Sequence, residues 1–127
     1  MMPVTATEIG AIRMTLDGLG ISRKDQDIFL GCASAELRGV PKHWSAVSDI
    51  EERISYLRVI GNLMSCLFAD GYSLKKEMAV LWMITPRDDF GGHSALEIMR
   101  GGELDNLKFI YEKLFDELLK RRQRLDF

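Results

Sequence analysis

The sequence predicts an all-α fold of about seven helices. Apolar residues recur at three- and four-residue spacing from one end of the chain to the other. No convincing alternating strand pattern appears, and Ser, Gly and Pro fall where the helical runs start and stop. Composition agrees: of 127 residues, 28% are charged and 46% hydrophobic, as in a folded protein with a core. At that length one domain, or two small ones sharing a core, buries roughly two-thirds of its unfolded surface and needs neither disulfide nor metal.

The first helix is expected from about Thr7 to Asp17, with Ile9, Ile12 and Leu16 on one face and Gly18 and Gly20 ending it. Ser22 caps a short second helix carrying Ile28, Phe29 and Leu30, with Asp25 completing a capping box and Gly31 stopping it. A short third segment, Ser34 to Arg38, ends at Gly39-Val40-Pro41, and a loop holding Trp44 follows. Ser48 opens what reads as the longest helix. Its stripe of Ile50, Ile54, Leu57, Ile60, Leu63, Met64, Leu67 and Phe68 marks the central helix of a bundle, and Asp70-Gly71 terminates it. Ser73 then caps a helix whose expected buried side is Met78, Leu81, Trp82 and Ile84, and Pro86 ends it. After a polar loop, Ser94 and Glu97 form a second capping box for a short helix of Ala95, Leu96, Ile98 and Met99, broken by Gly101-Gly102. The last helix, Glu103 to about Arg122, should bury Leu107, Ile110, Leu114, Phe115 and Leu118. Its first turn is acidic and Lys120-Arg121-Arg122 closes it, which suits the helix dipole.

Formal charge is −2 and the pI 5.7, which argues against coating nucleic acid or an anionic membrane by bulk charge. Cys32 and Cys66 sit far apart in apolar surroundings, and His43 and His93 are isolated. No metal site is expected, and the cysteines read as reduced, buried and inert. No apolar run approaches the ~18 residues of a membrane span, and the amino terminus lacks a cationic start followed by an apolar stretch. The expectation is a soluble cytoplasmic protein without a cofactor.

Two segments invite a functional reading. Short helix, glycine, short helix from Ser22 to Val40 is the spacing of a DNA-binding helix–turn–helix. Ser34, Arg38 and Lys42 would be the exposed polar residues on or just after its second helix, and Arg23 and Lys24, at the start of the preceding one, could touch phosphate. Against this, the same spacing is common helical punctuation, Asp27 stands where that motif packs a small apolar residue, and charge through Lys42 is balanced. A neutral module releases few counterions and binds weakly unless dimerised.

The second segment runs from Trp82 through Thr85-Pro86, Phe90-Gly91-Gly92, Ser94-Ala95-Leu96 and Met99 to Gly101-Gly102. This ordered set resembles the toxin-binding domain of Xre/MbcA/ParS-type antitoxins. Where that family typically has Leu-Gly-Gly-Arg-Thr-Pro-Leu-Glu-Leu-Leu, this chain has Phe90-Gly91-Gly92-His93-Ser94-Ala95-Leu96-Glu97-Ile98-Met99, departing at His93 and Ala95. Glu52-Arg53-Ile54 and Leu57 are similar to the start of the family's central helix. The resemblance covers about Asp49 to Leu114, and the amino-terminal part only as a degenerate Xre-like helix–turn–helix. It implies a division into residues 1–47, that segment, and residues 48–127, the toxin-binding domain.

Each motif residue also has a plainer reading. Trp82 reads as a core side chain. Gly91-Gly92 reads as a tight turn into a capped helix, because the lysine or third glycine of fuller phosphate loops is absent. Met64, Met78, Met83 and Met99 read as core filling by default, with a fraction able to line an adaptable partner groove. The basic run from Lys120 to Arg124 reads as a solvated helix end, although Leu125-Asp126-Phe127 makes it an amphipathic tail. The resemblance implies a non-catalytic antitoxin that blocks a RES-domain, NAD-degrading toxin and binds its own promoter, as a homodimer or higher assembly with the toxin. Tyr111, Arg121, Arg122, Leu125 and Phe127 are the candidate anchors for that partner. The competing readings are a DNA-binding regulator acting alone and an orphan helical interaction module. No triad, metal cluster or carboxylate pair points to an enzyme.

Overall fold

The computed structural model describes residues 6–31, 49–70 and 73–125. The fold is all-α. Its elements are α1 (Ala6–Gly18), α2 (Arg23–Phe29), α3 (Ile50–Phe68), α4 (Lys76–Ile84), a 3₁₀ turn (Asp88–Phe90), α5 (Ala95–Met99) and α6 (Leu104–Leu125). A two-residue antiparallel pairing, β1 (Ala69–Asp70) with β2 (Ser73–Leu74), joins α3 to α4. The expected Ser34–Arg38 segment and the Trp44 loop lie outside the described residues.

One hydrophobic cluster holds the fold. Ile9, Ile12 and Leu16 of α1 meet Phe29 and Leu30, the Ile54–Leu57–Ile60–Met64 stripe of α3, Met83, Met99, and Leu107, Ile110 and Leu114 of α6. Residues from both the 1–47 and the 48–127 segments build it. The principal packing is α3 on α6. Tyr56 meets Tyr111 with ring centroids 5.9 Å apart, and Leu67 meets Arg121 further on, so the two helices run parallel. At 22 residues against 19, α6 rather than α3 is the longest helix. Gly61 lets α1 lie close on α3, since a Cβ there would run into Thr15. Gly20, at φ +77°, turns the chain from α1 into α2 with Val80 pressed against it.

The structure corrects several local expectations. The helix expected to open at Ser73 starts at Lys76 instead: Ser73 pairs with Asp70 in the small ladder, and Lys75 is the residue before α4, its N–H donating to Phe68 O at 2.8 Å. Ser22 does cap α2 by accepting from Asp25 N, but Asp25 does not return the bond, because its carboxylate is engaged by Arg100. The buried side of α4 is Ala79 and Met83, not Met78, Leu81 and Ile84, which are exposed; Trp82 is half-buried. Phe115 is exposed as well, since α6 turns Leu114 inward beside it. Cys66 is an exposed free thiol rather than a buried one.

Three consecutive polar residues of α2 are buried: Asp25, Gln26 and Asp27. Arg13 reaches from α1 to Asp27 Oδ1 at 2.6 Å and to Gln26 Oε1 at 3.1 Å. The Gln26 amide donates in turn to Asp17 Oδ1 and to Ile21 O. Arg100, just beyond α5, holds Asp25 with two bonds of 3.0 Å. Arg53, also buried, bonds Asp49 and Phe29 O. A buried charge costs several kcal/mol unless it is paired and hydrogen-bonded. These pairs therefore decide where α2 sits.

Candidate protein-docking site

α4 is apolar on nearly every side, Met-Ala-Val-Leu-Trp-Met-Ile over residues 78–84. The fold fully buries only Ala79 and Met83 and half-buries Val80 and Trp82, which leaves Met78, Leu81 and Ile84 at 49%, 55% and 52% exposure. Three large apolar side chains about half exposed on a nine-residue helix make a patch of the kind that marks an interaction site. Leu81 forms its ridge. On one side lies a cleft of about 220 Å³ lined by Phe68, Met78, Leu81, Trp82, Thr85 and Arg87; on the other lies a shallower depression bounded by Lys76, Glu77, Val80 and Ile84.

The segment after α4 supplies Thr85 and Arg87 to the lining of this cleft. Pro86 excludes Thr85 from helical geometry, and Thr85 leaves the helix with extended backbone. Residues 87–93 then fold on themselves: Gly92 N donates to Arg87 O at 2.9 Å, and Arg87 N to His93 O at 3.1 Å. Gly91 and Gly92 both take positive φ to allow this. Phe90 is carried under Trp82, edge to face at 6.0 Å, and meets Phe109 of α6 at 5.5 Å. The Arg87 guanidinium lies over both rings, 5.5 Å from Trp82 and 4.9 Å from Phe90, and bonds Asp89 and Glu117. That hydrogen bond with Asp89 raises Arg87 above the ordinary guanidinium pKa and lowers Asp89 below the ordinary carboxylate range. Ser94 and Glu97 form the expected capping box, and the backbone N–H of Ser94 lowers the Glu97 pKa. Ser94 and Met99 are buried and Leu96 is half-buried. Gly101 and Gly102 break the chain before α6, Gly102 at φ +78°.

The other sequence candidates are scattered. Arg23 and Lys24 are exposed at the start of α2, and Arg23 makes a loose 3.4 Å pair with Asp17. Ser34, Arg38 and Lys42 lie outside the described residues, as does Phe127. Tyr111 is half-buried against Tyr56 and Phe115. Arg121 is not a loose tail cation: it donates to Leu67 O at 2.6 Å and lies over the Phe68 ring. Arg122 and Leu125 belong to the final turns of α6. Among the described residues no group of three or more His, Cys, Asp or Glu is placed to hold a metal, and no helix is long and apolar enough to cross a membrane.

The α4 face was missed from sequence because a helix apolar all round has no phase: periodicity cannot say which strip faces the core. Trp82 and Pro86 were the available signal, since they frame the cleft. Comparisons of the chain with protein-family models, curated proteins and solved structures find no match.

Proposed function

We propose that this chain is a non-catalytic, helical protein-binding module whose docking face is α4 with the Trp82–Arg87 cleft. The observation that carries this reading is the Met78–Leu81–Ile84 exposure beside that cleft. A partner side chain of Leu or Phe size fills the space next to Trp82, and Leu81 inserts into the partner in return. Interfaces draw most of their energy from a few such anchors. The cleft walls are held by packing and by the Arg87 bonds to Asp89 and Glu117, so little ordering cost attaches to binding.

The resemblance of the Trp82–Met99 run to antitoxin toxin-binding domains supplies the partner class: a RES-domain, NAD-degrading toxin, blocked sterically. Promoter binding belongs to the same proposal and rests on Arg23 and Lys24 together with Ser34, Arg38 and Lys42. Gln26 and Asp27 take no part in it, being spent on Arg13, Asp17 and Ile21. The experiment is co-expression with a RES-domain protein encoded beside this chain, followed by size-exclusion chromatography and an NAD-consumption assay. A stable complex that loses inhibition in Leu81→Glu supports the reading. Failure to co-elute removes the antitoxin assignment, and unchanged inhibition by Leu81→Glu removes the α4 face.

A further inference from the structure

α3 and α6 lie side by side in parallel, and one flank of the pair is apolar and uncovered. Leu107, Ile110 and Leu114 of α6 face the core and are buried. Roughly a quarter turn round the helix, Tyr111, Phe115 and Leu119 recur every four residues, and the last two are 43% and 41% exposed. Tyr111 meets Phe115 on its own helix and Tyr56 across the seam, and Val59, one turn beyond Tyr56, is exposed alongside. The α4 cleft lies elsewhere on α6. Arg87 reaches that helix through Glu117, which is roughly opposite Phe115 on its circumference.

Charge gathers at one end of this seam. Because the helices are parallel, their first halves share that end. There Glu51, Glu52, Glu103, Asp105 and Glu112 are all exposed, against Arg58 and Lys108; Arg53 and Asp49 are spent on each other. Glu52 stands four residues before Tyr56 and Glu112 three before Phe115, which sets both acids on the apolar flank itself. The two helix amino termini contribute about half a positive charge each, and five acids against two cations outweigh them. At the far end the seam meets Lys120 and Arg121 instead.

We propose that the α3–α6 seam docks a basic amphipathic helix of another protein. Its apolar side chains lie along Tyr111, Phe115 and Leu119, and its cations reach Glu52 and Glu112. An acidic end repels nucleic acid and anionic lipid alike, so a protein is the occupant this apolar strip fits. The surface uses no α4 residue and stands or falls apart from the docking reading.

Fluorescence anisotropy with the full chain tests it. The probe is a labelled amphipathic helix of leucine and lysine, and the control is the same helix with glutamate for lysine. The lysine helix binds with a Kd of about a micromolar, and the glutamate helix at least about tenfold more weakly. Phe115→Gln and Leu119→Gln each weaken the probe by about tenfold with unchanged circular dichroism. Glu52→Lys combined with Glu112→Lys does the same, and Leu81→Gln leaves binding as it is. Absence of binding, or equal binding of the two helices, overturns the proposal. So does binding indifferent to both apolar substitutions, or binding lost in Leu81→Gln, which places the probe on α4. A wild-type chain that sediments as a dimer and turns monomeric in Phe115→Gln gives the face to a second copy and overturns it as well.

Discussion

The Arg121 guanidinium closes the carboxy-terminal end of α3 by donating to the Leu67 carbonyl at 2.6 Å, while its plane lies over Phe68. The end of one long helix thus depends on a side chain from the last turns of the other. Arg121→Ala is expected to lower stability by about 1.5–3 kcal/mol, the scale of a hydrogen bond to a charged group. Removing residues 122–127 while keeping Arg121 should cost much less. Paired urea melts check this, and equal losses would contradict it.

Asp27 is the next test. Asp27→Ala leaves Arg13 without its closest carboxylate in a site where both side chains are almost nine-tenths buried. The expected loss is about 3 kcal/mol, as for a broken buried pair. Asp27→Leu combined with Arg13→Met should lose less than Asp27→Ala, because the cation that faced Asp27 goes with it. Denaturant midpoints of the single and double variants decide the matter.

Asp25 and Arg100 form a two-pronged pair between α2 and the end of α5. A double-mutant cycle with Asp25→Ala and Arg100→Ala should give a coupling of about 1–3 kcal/mol. A coupling near zero would show that the contact does not position α2.

The docking face and the core strip of α4 should separate cleanly. Met83→Ala opens a cavity in a fully packed site and should cost on the order of 2–5 kcal/mol. Leu81→Glu, on the exposed side, should leave the melting temperature within about a degree or two of wild type. Thermal scans of both variants test the assignment of faces.

Acid should expose the Arg87–Asp89 contact. The hydrogen bond from Arg87 holds the Asp89 pKa below its ordinary value, so the ionised form is favoured by folding. That contribution is present above the ordinary carboxylate range, near pH 4, and is lost as pH falls through the lowered folded value. Because Asp89 is largely exposed, the effect is a few tenths of a kcal/mol. Urea midpoints between pH 2 and 6 should fall more steeply for wild type than for Asp89→Asn.

What the sequence made legible were the elements with a narrow apolar stripe or a strong boundary. Ile9–Ile12–Leu16, the α3 stripe, the Ser94–Glu97 box and Leu107–Ile110–Leu114 all stand where periodicity and capping put them. α4 was legible as a helix but not in its orientation, since Met78 and Met83 look alike to any pattern. The sequence offers Asp25 as a capping-box residue and Asp27 as a misfit at a packing position. Their burial depends on Arg100 and Arg13, 75 and 14 residues away, and no local rule pairs residues at those distances. The Ala69–Leu74 ladder is too short to leave a pattern of its own.

The Asp25–Arg100 pair also orders events in time. α2 can dock only by taking the Asp25 carboxylate out of water, and the guanidinium that compensates it belongs to the far side of the chain. Until α3, α5 and α6 have assembled and presented Arg100, seating α2 buries a lone charge. α2 is therefore expected to settle late and to lift away early, with its amides exchanging ahead of those of α3 and α6 in native-state hydrogen exchange.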